Sequence, residues 1–122
     1  SFTTVSLPSS KKTNRVVLVL GGYVGHDIKR LIFTCTSGDV FSEGTVVPSV
    51  DVDAGTIKFI KSSKGNNSMF YTVIEGGDTN LLGKGSVIEF ICDKDGEWQI
   101  YFNIVPESIG SLTTGEISFT SS

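Results

Sequence analysis

The chain has 122 residues, of which 39% are hydrophobic and 19% charged, a composition typical of one globular domain with its own core and not of a disordered segment. Ten basic and thirteen acidic residues give a net charge of −3. This balance argues against nucleic-acid binding, because phosphate backbones are bound by basic stripes. No apolar run approaches the ~20 residues of a membrane span, so we expect no membrane insertion.

Short apolar or alternating runs recur along the chain, separated by clusters of Gly, Asn, Asp and Ser. They predict nine strands: Phe2–Leu7, Arg15–Leu20, Lys29–Thr36, Thr45–Val52, Thr56–Lys61, Met69–Ile74, Ser86–Asp93, Trp98–Val105 and Glu116–Thr120. Short strands with glycine-rich turns and no clean helical period are typical of sandwiches and barrels. We therefore expect an all-β, antiparallel jelly-roll β-sandwich of eight or nine strands, occupying 1–122 as one domain. The chain starts at Ser1 without Met, which fits either a processed product or an excised domain, and we favour an excised domain, the C-terminal head of a longer protein.

Two glycine-rich turns superficially resemble nucleotide-binding loops. After the second strand, Gly21-Gly22-Tyr23-Val24-Gly25 has the spacing G-G-x-x-G, no convincing helix follows, and the chain lacks βαβ alternation. In Gly83-Lys84-Gly85-Ser86, a glycine follows the lysine where a phosphate-binding loop needs Ser or Thr. We expect no cofactor.

The residue types that carry catalysis are sparse. His26 is the only histidine, so no histidine cluster can build a zinc site, and no G-x-S-x-G motif positions a nucleophile. Acidic residues spaced two apart occur at Asp51 and Asp53 and again between Asp93 and Glu97, but the full calcium-loop pattern is missing. We expect no metal site and no enzymatic activity, while a carboxylate pair for glycan hydrolysis can be neither located nor eliminated by counting.

Cys35 and Cys92 both lie within predicted strands at positions that we assign to the core. Two cysteines permit one disulfide, but a buried free cysteine is a common small apolar filler. The sequence favours free thiols and leaves the disulfide open.

The closing hairpin is the strongest structural signal. Two alternating runs, Val87–Cys92 and Trp98–Val105, flank a turn that contains Asp-Gly, which is a strong hairpin signature. Trp98 and Ile100 share one face of the second strand, and Tyr101 lies on the other. We expect Tyr71 and Tyr101 to lie on outer strand faces, where exposed aromatic residues require a second burying surface. A subunit interface is the natural candidate.

The D-x-x-G-x-W hairpin, Asp93 to Trp98, preceded by a glycine-led strand, resembles the end of many bacteriophage tail-fibre and spike tip domains. The short chain with Ser/Thr/Gly-rich strands also resembles virion spike knobs with a tumour-necrosis-factor-like jelly roll, the vertex spikes of tectiviruses being the nearest case. This resemblance implies a homotrimer on the virion surface, outside the cell, that attaches to a host receptor, either protein or glycan, without catalysis. A structural capsid or fibre component without a ligand, and a small carbohydrate-binding or glycan-hydrolysing domain, remain alternatives.

Recognition in such knobs occurs on loops, which vary without disturbing the core. We expect the receptor to meet the segment from Tyr23 to Arg30 or the loop Ser63–Ser68. In the first segment the contacting residues would be Tyr23, His26, Asp27, Lys29 and Arg30. Tyr and Arg provide large contact area and planar hydrogen bonding. The alternative is that both segments are solvated turns, and Asn66-Asn67-Ser68 fits either a hairpin loop or an N-glycosylation acceptor.

Overall fold

The structure is a computed structural model that describes residues 2–11, 14–20, 30–50, 57–73, 85–103 and 115–121. Within these ranges every regular element is a strand, which confirms the all-β class. The ten strands are β1 Phe2–Ser6, β2 Arg15–Val19, β3 Arg30–Thr34, β4 Val40–Phe41, β5 Val46–Val50, β6 Ile57–Lys61, β7 Ser68–Val73, β8 Val87–Lys94, β9 Glu97–Asn103 and β10 Gly115–Thr120. Among the residues described, no helix has the length and apolar character needed to cross a membrane.

The strands form three sheets, with the orders β1-β3-β7-β10, β2-β8-β9-β4 and β5-β6. The expectation of a purely antiparallel arrangement is wrong, because β1 pairs with β3 and β4 with β9 in parallel. The strand between β1 and β3 in the chain, β2, belongs to the second sheet. β1 and β3 are therefore neighbours in the sheet but not consecutive in the sequence, and a pair of this kind can be parallel.

The two four-stranded sheets contribute to one hydrophobic core. Its fully buried members include Leu31, Phe33 and Tyr71 from the first sheet and Ile88, Phe90, Trp98 and Ile100 from the second. The ring centroids of Phe33 and Phe90 lie 5.1 Å apart, so the sheets are in direct aromatic contact. Burial of these large side chains is the main force that holds the sheets together.

The β8–β9 hairpin forms as predicted, with a turn shorter than the five residues between the two alternating runs of the sequence. Only Asp95 and Gly96 lie between Lys94 and Glu97, which face each other across the strands. Gly96 has φ = 89°, a left-handed conformation that glycine adopts without steric cost. The pairing register shifts between Ile91 and Lys94, the irregularity of a β-bulge. Beyond it, Trp98 and Ile100 are buried and Tyr101 is exposed, which confirms the predicted faces.

The β5–β6 hairpin bridges the two larger sheets. The hydroxyl of Ser49 on β5 accepts a hydrogen bond of 2.9 Å from the backbone N–H of Ile117 on β10. Just before β5, the hydroxyl of Thr45 accepts one of 3.1 Å from the N–H of Ile100 on β9. Thr45 therefore covers part of the β9 edge beyond the short strand β4, where Ile100 would otherwise have an unpaired N–H.

Candidate functional site

An apolar surface covers the outer side of the second sheet. Strand alternation directs Val17 and Val19 on β2 and Tyr101 on β9 outward, with 61% of Val19 and 54% of Tyr101 exposed. The register places Val19 opposite Val87, and Glu89 between Val17 and Tyr101. These side chains therefore form neighbouring rows across three strands.

The β5–β6 hairpin extends this surface. Val46, Ile57 and Phe59 are exposed on it, Phe59 by 72%. A groove of about 490 Å³ runs between the hairpin and β9, and a shallow depression of about 340 Å³ lies on the neighbouring β8–β9 face. Tyr101 and Phe102 line both, so the two regions are continuous. We define the apolar face by its exposed members: Val17, Val19, Val46, Ile57, Phe59 and Tyr101.

One ion pair lies within the apolar face. The Arg15 guanidinium donates to a Glu89 carboxylate oxygen at 2.6 Å. The pKa of Arg15 is raised, first by this hydrogen bond and then by the charge of Glu89. Since the two charges cancel, the pair leaves the centre of the face electrically neutral.

The structure separates the two predicted interface tyrosines. Tyr101 lies on the apolar face as expected. The expected outer position of Tyr71 is wrong, since only 1% of this residue is exposed and it belongs to the core. On β7, Met69 and Tyr71 share the inward face and the partly buried Phe70 lies on the other. When large apolar residues occupy both faces of a strand, the alternation pattern does not show which face is buried.

Most of the first predicted receptor-binding segment lies outside the described residues, namely Tyr23, His26, Asp27 and Lys29. Arg30 is the first residue of β3, and its side chain is likewise outside the description. Its backbone pairs in register with Phe2, so Arg30 lies at the end of the first sheet where β1 begins. We call this the N-terminal end.

The second predicted loop, Ser63–Ser68, lies at the opposite end, which we call the turn end. Its Ser68 pairs with Thr34 at the last position of β3. The turn end also contains the turns at Glu43-Gly44 and Asp95-Gly96. A cleft of about 300 Å³ opens there, lined by Val40, Phe41, Glu43, Lys64, Gly65, Lys94 and Glu97.

The reactivity of the cysteines and the grouping of possible metal ligands can be assessed within the described part of the chain. Cys35 and Cys92 are both free, as the sequence favoured. Burial, and secondarily the negative charge of Asp39, raise the pKa of Cys35 to about 12, so its thiol is a poor nucleophile at neutral pH. Within the described ranges, no group of three or more His, Cys, Asp and Glu side chains is placed to hold a metal ion. Asp51 and Asp53 lie outside those ranges.

Sequence reasoning missed most of the apolar face. Only Tyr101 was identified, from the alternation of β9. Phe59 was assigned to a strand but not to an exposed face, because the run Ile57-Lys58-Phe59-Ile60-Lys61 places apolar side chains on both sides. Comparisons of the chain with protein-family models, with curated proteins and with solved structures find no match.

Proposed function

We propose that this chain is a non-catalytic attachment knob on a virion surface, which assembles as a homotrimer and binds a receptor on the host cell. Its fold in this proposal is a jelly-roll β-sandwich. Two four-stranded sheets that share one core support the sandwich, as does a chain that alternates between them over β1, β2, β3 and β4. The two parallel pairings, each at a sheet edge, and the separate two-stranded sheet β5-β6 depart from an all-antiparallel, two-sheet jelly roll.

The observation that carries the proposal is the apolar face. Isolated exposed apolar residues are ordinary, but a continuous apolar patch on a soluble domain marks an interaction site. Here six large apolar side chains are exposed on one sheet and its neighbouring hairpin. The Arg15–Glu89 pair keeps the sheet part of this patch neutral, and Lys61, which pairs in register with Val46, adds one positive charge on the hairpin. A mainly apolar patch suits an equally apolar partner surface, such as another part of the same patch on a neighbouring copy around a three-fold axis.

The arrangement of the two ends supports attachment at the turn end. If a stalk joins before Phe2, it meets the knob at the N-terminal end, beside Arg30. The loop Ser63–Ser68 then lies at the far end, where a host surface is met first. This arrangement favours the second predicted loop over the segment from Tyr23 to Arg30.

Competition for cell attachment tests the function. The purified domain, added in excess, is expected to reduce attachment of the parent particle to its host cells in a concentration-dependent manner. A heat-unfolded sample of the same protein is the control for nonspecific effects. If the folded domain leaves attachment unchanged at saturating concentration, the attachment function is wrong and a structural fibre or capsid role replaces it.

A further inference from the structure

We propose that the cleft at the turn end binds an uncharged, hydroxyl-rich ligand, such as the terminal sugar of a neutral glycan. The inference rests on the proposed attachment function and adds to it the site and the ligand class. The cleft lies between β4, the turns at Glu43-Gly44 and Lys64-Gly65, and the tip of the β8–β9 hairpin.

Backbone hydrogen bonds hold the walls of the cleft together. From β4, the N–H of Val40 donates to the carbonyl of Gly96 at 2.9 Å, and the N–H of Phe41 donates to that of Asn66 at 2.8 Å. On the far side, the N–H of Gly44 donates to the carbonyl of Ser62 at 3.0 Å. Strand β4 thus joins the hairpin tip to the Lys64 turn, and loops fixed in this way lose little entropy when a ligand binds.

The side chain of Asn66 adds a second level of order. Its carbonyl oxygen accepts from the Ser63 N–H at 2.7 Å, and its amide nitrogen donates to the Ser121 hydroxyl at 3.1 Å. That hydroxyl in turn donates to the carbonyl of Gly65 at 3.0 Å. The Asn66 amide is thus committed to holding the Lys64 turn, which favours the hairpin-loop interpretation of Asn66-Asn67-Ser68 over a glycan acceptor.

The charges that line the cleft indicate the ligand class. Lys94 and Glu97 neutralise each other, with 3.0 Å between the ammonium nitrogen and a carboxylate oxygen. Glu43 and Lys64 are exposed, and neither makes an ion pair with any residue that the structure describes. The lining therefore has two positively charged donors, Lys64 and Lys94, and two negatively charged acceptors, Glu43 and Glu97. A sugar hydroxyl can donate to a carboxylate and accept from an ammonium group, so it can use both kinds of charged group, whereas an anion would be attracted by the two lysines and repelled by the two carboxylates.

The size and the apolar wall of the cleft agree with a single sugar ring. Its volume of about 300 Å³ is at the lower limit of small-ligand pockets. Val40, which is partly exposed, supplies apolar wall against which the C–H face of a sugar can pack, while the Phe41 side chain behind it is fully buried in the core. The polar groups at the rim would then fix the orientation of the hydroxyls.

Nuclear magnetic resonance titration tests the site directly. The ¹⁵N-labelled protein is titrated separately with galactose, glucose, mannose and N-acetylglucosamine, and with anionic N-acetylneuraminic acid for comparison. At least one neutral sugar is expected to shift the amide signals of Glu43, Gly65 and Glu97. The inference is overturned if no neutral sugar shifts these signals up to its solubility limit, or if only N-acetylneuraminic acid does.

A matched pair of variants completes the test. The double variant Glu43→Gln with Lys64→Gln removes one charge of each sign from the cleft and is expected to weaken sugar binding at least about tenfold. The control, Asp93→Asn with Lys61→Gln, makes the same change in net charge at exposed residues outside the cleft lining and is expected to bind normally. Equal affinity of the two double variants overturns the site.

The attachment assay separates the two proposals. If the wild-type domain blocks particle attachment and the cleft variant blocks it equally well, the attachment function stands and the cleft is not the receptor site. If the wild-type domain does not block attachment but binds the sugar, the proposed function fails and a carbohydrate-binding domain with another role remains.

Discussion

Cys35, one residue beyond the end of β3, shows how a local environment sets the reactivity of one side chain. Its pKa of about 12 means that the thiol keeps its proton through the neutral range. At pH 8 we expect Cys35 in the folded protein to react with iodoacetamide about a thousandfold more slowly than in the urea-unfolded chain, since about three pKa units separate the two states. The folded rate should rise as the pH approaches 12. Peptide mass spectrometry of the Cys35 adduct measures both rates, and equal rates would contradict the inferred burial.

Gly96 gives a second prediction at the same scale. Its φ of 89° is unfavourable for a residue with a Cβ, although nothing lies within 4 Å of where that atom would be. The cost of Gly96→Ala is therefore backbone strain alone, and we expect a loss of about 1–2 kcal/mol in the free energy of unfolding by urea. Gly96→Asn should lose less, because asparagine tolerates positive φ. A Gly96→Ala variant as stable as the wild type would show that the turn relaxes to another type.

Thr45 carries the prediction at the level of elements, because its hydroxyl connects β5 to the edge of β9. Thr45→Val keeps the shape of the side chain but removes the acceptor for the Ile100 N–H. Both groups are buried, so the unpaired N–H should lower the free energy of unfolding by about 1–3 kcal/mol. Urea denaturation measures this loss.

Thr45→Ser is the matched control, since it keeps the hydroxyl and removes only a methyl group. We expect it to lose less stability than Thr45→Val. If the two variants are equally stable, the hydrogen bond contributes nothing and the hairpin is held on β9 by packing alone.

Local pattern predicted the strands well where alternation extended over several residues. All nine predicted strands are present, and wherever a predicted end falls on a described residue it lies within two residues of the observed one. The other predicted ends fall outside the described residues, namely Lys29, Val52, Thr56, Ile74 and Val105. One observed strand, β4, was not predicted, because its two residues, Val40 and Phe41, are too few to show the alternation of a strand. The orientation of Tyr71 was wrong because β7 is apolar on both faces, so only packing against the second sheet decides which face is buried.

At the scale of the whole molecule, the sheet order was beyond prediction. The side chains of a strand alternate between its two faces whether the neighbouring strand is parallel or antiparallel. The sequences of Phe2–Ser6 and Arg30–Thr34 therefore do not indicate that these strands pair in parallel. The apolar face and the turn-end cleft have the same origin. Each combines residues distant in sequence, such as Val17 with Tyr101 and Glu43 with Lys94, and only the fold brings them together.

The apolar face leads to the last prediction, which concerns assembly. We expect the wild-type domain to be a trimer at micromolar concentration, measured by light scattering coupled to gel filtration. Trimers follow from the resemblance to virion spike knobs, whereas dimers are commoner among soluble oligomers in general. A monomer would contradict both the proposed interface and the attachment knob. A dimer would be consistent with an interface at the apolar face but would contradict the trimeric spike.

Tyr101→Lys tests which surface makes the contact. Tyr101 is half-exposed and lies directly opposite Glu89, so a lysine there meets a carboxylate across the strands and the fold should tolerate it. In an assembled interface the same ammonium group would be buried against apolar side chains, which is strongly unfavourable. The variant should therefore be a folded monomer.

Ser63→Lys, with the same change in charge at an exposed position of the turn end, should remain a trimer. If Tyr101→Lys stays assembled, the copies meet through another surface and the apolar face is free for a different partner.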